Sequence, residues 1–230
     1  MGSGYATASM WTRVDNAISY RTPTFAGLTG YAMYSFKNDS VSGKGEENKA
    51  SADRYASLAL RYQNGGFEGV LVSDYTLYGN EQYKDADDGF TVTLGGNYTF
   101  SNQLKVLAFA QYFDKMFLNV NARGGVAKSG ILAFTNGAGY GQVAGWGVGL
   151  GGNYPVWGGT AKAGINYRDM SNQTDVDFTR VTGTVAYDYP LSKRTSLYGT
   201  AGYSHEKVKA AGKSATPNGC QVSAGMIHRF

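Results

Sequence analysis

From Val222 to Phe230 the chain carries the two-residue period of a strand, with mostly apolar residues at alternate positions. Val222, Ala224, Met226, His228 and Phe230 fall on one face, and Ser223, Gly225, Ile227 and Arg229 on the other. A period of two belongs to a β-strand, whose successive side chains point to opposite sides. This strand closes on an aromatic ring. Ends of soluble domains usually fray into water, whereas a strand at a membrane interface needs aromatic residues there.

The same period recurs along the chain. Leu28, Gly30, Ala32, Tyr34 and Phe36 share a face. Leu58, Leu60 and Tyr62 oppose Ser57, Ala59 and Arg61, and Phe90, Val92, Leu94 and Tyr98 oppose Thr91, Thr93 and Asn97. Trp146, Val148, Leu150 and Tyr154 repeat that last pattern, down to a shared Leu-Gly-Gly-Asn-Tyr. Ala161 to Tyr167, Val181 to Tyr189 and Leu197 to Tyr203 behave alike. Two runs are less clean. Val70 and Val72 sit on the polar side of theirs, and Leu107, Phe109 and Phe113 blur another. In all, about eleven strands are expected.

Composition narrows the class. Mean hydropathy is −0.32, and no apolar run approaches the ~18 residues of a spanning helix. Alternating barrel strands dilute their apolar face with polar residues and escape that test. Charged residues are 17% of the 230, below the usual ~25%, while aromatics reach 14%, with 33 glycines and 4 prolines. A disordered glycine-rich chain lacks such aromatics. The single cysteine, Cys220, excludes an intrachain disulfide and a cysteine zinc cluster. The net charge of +4 is spread singly, with no basic run to suit nucleic acid.

Loop length is sorted by end. Polar loops near 37–53, 79–88, 114–142, 169–177 and 206–219 alternate with turns of a few residues, such as Asn64-Gly65-Gly66. Outer-membrane barrels have this asymmetry, with short periplasmic turns and long extracellular loops. In hydrocarbon an unpaired backbone group costs several kcal/mol, so a spanning sheet has to close. The expected fold is therefore all-β: a transmembrane antiparallel meander barrel of about 11–12 strands, apolar face to lipid and polar face to an aqueous lumen. Residues 11–230 form one barrel domain. Residues 1–10, opening Met1-Gly2-Ser3-Gly4 with no secretory leader, read as an added start or the remnant of a preceding loop.

Three stretches resemble the Gram-negative general porins, the trimeric outer-membrane β-barrels. They are the terminal strand ending His-Arg-Phe, the phrase R-x-D-N-x-I-x-Y followed by P-x-F-x-G-L-x-G-x-x-x-Y from Arg13 to Tyr34, and Y-x-L-S-K-R-T-S-L-Y-G from Tyr189 to Gly199. The resemblance implies a passive diffusion channel in the bacterial outer membrane. It implies contacts with membrane lipid and lipopolysaccharide, a homotrimer, and an assembly signal at Met226, His228 and Phe230 for the barrel-assembly machinery. It covers the later part of a sixteen-stranded porin, lacking the first five strands and the inward constriction loop. A fragment, a trimmed design and a natural short relative all fit. An odd strand count would force a parallel seam, unless Tyr5 to Met10 supplies a short twelfth strand.

The candidate site is the lumen wall. Arg13, Arg21, Arg61, Lys105, Lys162, Arg168 and Arg180 fall on polar faces, offset by Asp15, Glu68, Asp74 and Asp188. Fixed positive charge along a water-filled channel concentrates anions and lowers their barrier. By the resemblance, Arg13 and Arg21 match an arginine ladder; the plainer reading is ordinary solvated lumen residues. Asp85, Asp87 and Asp88 are weak candidates for calcium or for bridging lipopolysaccharide, and a solvated loop explains them as well. His205 and His228 lie beside no nucleophile motif, so no enzyme and no cofactor is expected. The expectation is a channel for small hydrophilic solutes with a mild anion preference. The alternative is a structural or adhesive barrel, or a truncated or engineered one, with a blocked or altered lumen.

Overall fold

The computed structural model describes residues 14–38, 44–81, 84–117, 142–173, 176–210 and 212–230. The strands are β1 (Ala17–Arg21), β2 (Leu28–Ser35), β3 (Arg54–Asn64), β4 (Phe67–Leu77), β5 (Gly89–Thr99), β6 (Lys105–Met116), β7 (Val143–Val156), β8 (Gly159–Asn172), β9 (Asp177–Pro190), β10 (Thr195–Ala210), β11 (Lys213–Ala215) and β12 (Asn218–His228). From β1 to β10 each pairs antiparallel with its sequence neighbour in one meander sheet.

The last two strands share one place. β11 and β12 both pair with β10, in one continuous register from Val208 opposite Ala215 to Thr195 opposite His228. Pro217, without an N–H to donate, interrupts the strand between them, and the Glu206 amide donates to its carbonyl at 2.9 Å. Among the described residues twelve strands thus occupy eleven positions, in line with the about eleven expected from sequence. β1 and β12 consequently run the same way, and among the described residues no ladder joins them. The twelfth strand counted here comes from this split; Tyr5 to Met10 lies outside the described residues.

Several boundaries differ from expectation for local reasons. Within the described residues β1 begins at Ala17, where Asn16 just before it takes a left-handed φ of 44° that breaks an extended run; Trp11 lies outside the described residues. The expected loop 169–177 is mostly strand, with β8 and β9 extending into it. The expected loop 206–219 is β10, a tight turn, β11 and the start of β12. There both faces carry polar residues: His205, Lys207 and Lys209 are exposed while Ser204, Glu206 and Val208 are buried. β12 stops at His228, so Phe230 lies beyond the ladder, fully exposed with its ring 4.9 Å from that of His228. The short turn joining β7 to β8 has Trp157 and Gly158 both at positive φ, 52° and 77°, the hairpin geometry that matches strand twist.

Burial tells the faces apart. The apolar face is open: Leu58 is 66% exposed, Leu94 60% and Leu150 56%. The polar face is enclosed, with Thr29, Ser35, Thr76, Thr91, Gln111, Asn166 and Thr182 all buried. A water-soluble sandwich would do the reverse. Aromatic residues cap both ends of the open face: Tyr75, Phe90, Tyr112, Trp146, Tyr167 and Tyr203 toward the long loops, and Tyr62, Phe67, Tyr98, Tyr154 and Tyr189 toward the short turns. Trp146 and Tyr154 sit eight residues apart on β7, about 27 Å of strand, which at a tilt of ~40° covers about 21 Å along the membrane normal, most of the ~25 Å apolar band of an outer-membrane barrel.

Among the described residues the buried apolar cluster is on the inner face. Phe113, Met116, Val143, Met170, Val176, Phe178 and Val208 cluster at the long-loop end of β6–β10. Phe113 thus belongs to the inner wall, and so do Leu107 and Phe109 by alternation. Gly145, Gly147, Gly149 and Gly151 make the inner side of β7 bare backbone. At Gly149 the reason is visible: a Cβ there would collide with the Phe109 ring and the Asn166 amide oxygen.

Candidate functional site

The residues expected to line the lumen separate into two levels. Arg21, Arg61, Glu68, Lys105, Lys162 and Asp188 stand near the short turns. Asp74, Arg168 and Arg180 stand toward the long loops. All project from the enclosed face, because each occupies the same alternate positions as the buried threonines and serines of its sheet. Arg13 lies outside the described residues. Asp15 precedes β1, where its amide donates to the Asn38 carbonyl at 3.0 Å and its carbonyl accepts the Ser35 hydroxyl at 2.6 Å.

At the lower level, the Arg61 Nε donates to Glu68 Oε1 at 2.6 Å across β3 and β4, and the Asn97 amide donates to the other Glu68 oxygen at 3.4 Å. The Lys162 ammonium pairs with Asp188 between β8 and β9. The Arg21 guanidinium lies 5.8 Å from the centre of the Tyr31 ring, its cross-strand partner. Lys105 faces Thr99 on one side and Asn153 on the other, and makes no ion pair among the described residues. Four cations thus meet two carboxylates.

At the upper level the signs balance. Asp74 accepts hydrogen bonds from the Tyr55 hydroxyl and, at 3.0 Å, from Thr91. Arg168 and Arg180 stand directly opposite one another across β8 and β9. Two like charges so placed need a counter-charge, and Glu206 of β10 supplies it, opposite Arg180 and in an ion pair with it. Arg168 is 1% exposed, and Arg180 and Glu206 are each 3% exposed. Sequence reading placed Glu206 in a loop and so missed it. Its signal was the run Ser204, Glu206, Val208, a period of two with no polarity contrast.

The acidic loop spreads its carboxylates among different partners. Asp87 pairs with Lys115 at 3.0 Å, while Asp88 accepts the Tyr78 amide at 3.2 Å and the Tyr75 hydroxyl at 3.4 Å. Asp85 sits at a positive φ of 64°. Among the described residues no three acidic, histidine or cysteine side chains converge as metal ligands would. At the carboxyl end, Met226 is exposed on the apolar face and the His228 Nδ1 lies 2.9 Å from the Thr195 hydroxyl.

An antiparallel meander with an open apolar face, two aromatic girdles and an enclosed charged face defines the wall of an outer-membrane β-barrel. The chain belongs to the Gram-negative porin family, whose model matches residues 1–209. An outer membrane porin protein of Bordetella pertussis is 29% identical over 230 residues, covering 95% of this chain and 58% of the relative. Outer membrane porin protein 32 of Delftia acidovorans is 29% identical over 238 residues, covering 95% and 57%. An anion-selective porin from Comamonas acidovorans superposes with a TM-score of 0.61 at 25% identity, over 94% of this chain and 60% of that one. The chain therefore spans somewhat under two thirds of the length of the relatives it matches. Its place is the bacterial outer membrane.

Proposed function

We propose that this chain builds much of the wall of a passive diffusion channel for small hydrophilic solutes and ions, with a mild preference for anions and no catalytic step. The observation that carries this reading is the lower level of the enclosed face. There Arg21, Arg61, Lys105 and Lys162 outnumber Glu68 and Asp188, and unbalanced fixed charge in a low-dielectric passage favours the opposite ion. The anion selectivity named for the Comamonas porin agrees in sign. In lipid the edges of β1 and β12 have to be paired. Because they run the same way, antiparallel closure takes an odd number of further strands. Homotrimer formation and recognition of the terminal strand by the assembly machinery belong to the same reading, supported by family membership.

Planar-bilayer recording tests it. Reconstituted protein should conduct, and its reversal potential in a salt gradient should report anion preference. Arg21→Glu together with Lys105→Glu should move that potential toward cations; an unchanged potential would defeat the charge reading.

A second reading, a barrel with a blocked lumen, is favoured by the buried apolar cluster on the inner face. Phe178→Ala separates the two. A rise in conductance of several-fold would mean the cluster obstructs the passage, and no change would mean it only braces the wall.

A further inference from the structure

Two stretches break the polar pattern of the enclosed face. Val70 and Val72 do so on β4, and Leu107 and Phe109 on β6, all half-buried. The sheet register brings them together. Val70 and Phe109 lie on either side of Gly95 of β5, each directly opposite it. Val72 is opposite Thr93, and Leu107 is opposite Asn97. Two apolar ridges thus flank a strand whose middle position has no side chain. A Cβ at Gly95 would meet only ordinary contacts, 3.5 Å from Phe109 Cβ and 3.7 Å from Val70 Cγ1. Packing does not require glycine there, and its effect is to leave a trough open to the lumen.

The ends of the trough are polar. Toward the long loops, the Gln111 amide donates to Thr93 Oγ1 at 2.8 Å. Toward the short turns, the Asn97 amide donates to Glu68 at 3.4 Å. Lys105 stands on the same ridge as Leu107 and Phe109, one inward position nearer the short turn. Arg61 holds Glu68 at 2.6 Å, which leaves Lys105 as the excess cation of this corner. The buried cluster at the long-loop end is different in kind. There Phe113 and Phe178 are covered to 0% and 1% exposure, whereas these ridges still meet the lumen. Apolar surface left open beside a few fixed polar groups is the make-up of a small-molecule site.

We propose that this trough binds an amphipathic monocarboxylate, a small acid with an aryl or alkyl body, as it passes along the lumen. The carboxylate pairs with Lys105, and the apolar body lies over Gly95 between Val70 and Phe109. Phe109 stands ~13 Å past Lys105 along β6, and the four-carbon stem of the lysine covers about half of that. What is left is the length of a phenyl ring on a two-carbon arm. An inorganic anion meets the same charge and gains nothing from the ridges, whereas an apolar body leaves water when it lies between them. The inference rests on the channel reading and deepens it by giving the passage a preferred class of solute.

The probe is 3-phenylpropionate, titrated calorimetrically into the full chain in amphipol. It should bind one to one and about tenfold tighter than acetate, which has the charge alone, or 3-phenylpropanol, which has the ring alone. In planar bilayers it should reduce chloride current over the same concentrations. Val70→Thr with Val72→Thr keeps the shape of the ridge and removes its apolar character. That pair should weaken binding several-fold and leave chloride conductance unchanged. Gly95→Leu fills the trough and should weaken binding about tenfold or more. Lys105→Gln should weaken binding of the acid and not of the alcohol. If Gly95→Leu does not fold, the near-isosteric threonine pair decides. Acetate or the alcohol binding as tightly as the probe overturns the proposal, and so does parental affinity in the threonine pair or in Lys105→Gln. Probe bound to a protein that passes no current rejects only the channel, and chloride current without probe binding rejects only this site.

Discussion

The two ends of the enclosed wall use the same residue types to opposite effect. Near the short turns, Arg61 and Glu68 have side chains 36% and 32% exposed, and water screens their attraction. Near the long loops, Arg180 and Glu206 are 3% and 4% exposed, with Arg168 beside them. There the charges have lost their hydration and depend on one another. A charged pair in the first setting shapes the field that a passing ion meets. In the second it holds three strands in register. Lumen-facing charge is therefore not one kind of residue but two, divided by solvent access.

The sharpest break of that contrast is Glu206→Ala. It strips the carboxylate from Arg180 and leaves two guanidinium groups face to face, so it should cost about 3–5 kcal/mol. Urea unfolding in detergent should show it. Converting Arg168→Met, Arg180→Leu and Glu206→Leu together should cost far less than Glu206→Ala alone, because no charge is then stranded. A result the other way would mean the triad is not a buried unit. Leu94→Arg, at the middle of the outward face, calibrates the membrane side and should cost about 2–4 kcal/mol. Gly149→Ala should cost about 1–3 kcal/mol, since the new methyl displaces the Phe109 ring. Smallest in stability are Arg61→Gln and Glu68→Gln, each expected within about 1 kcal/mol of the parent. Their reversal potentials should nonetheless move in opposite directions, Arg61→Gln toward cations and Glu68→Gln toward anions. A stability loss like that of Glu206→Ala at either position would erase the distinction between the two levels.

Much of this was legible in the residues. The period of two survives wherever one face meets lipid, because a polar side chain there costs too much to tolerate. Hence Val92 to Tyr98 and Val148 to Tyr154 announced their strands, their faces and one end of the aromatic band. The signal failed where strands rise beyond the lipid. From Ser204 to Lys209 both faces can be polar, no contrast remains, and β10 read as loop. It failed again on the inner side of the long-loop end, where Phe113, Met170 and Phe178 pack as a core on a wall expected to be wet.

By itself, then, the sequence determined the class: strands of spanning length, one greasy face, loops sorted by end, and an odd count. Those follow from local chemistry, since alternation and turns depend only on near neighbours and on the solvent each face meets. The tertiary structure decided which charges meet. Arg180 and Glu206 are far apart along the chain and become partners only through the register of β9 on β10. Whether an arginine screens an ion or clamps a sheet depends on how much water reaches it, a property of the assembled wall and of no single strand.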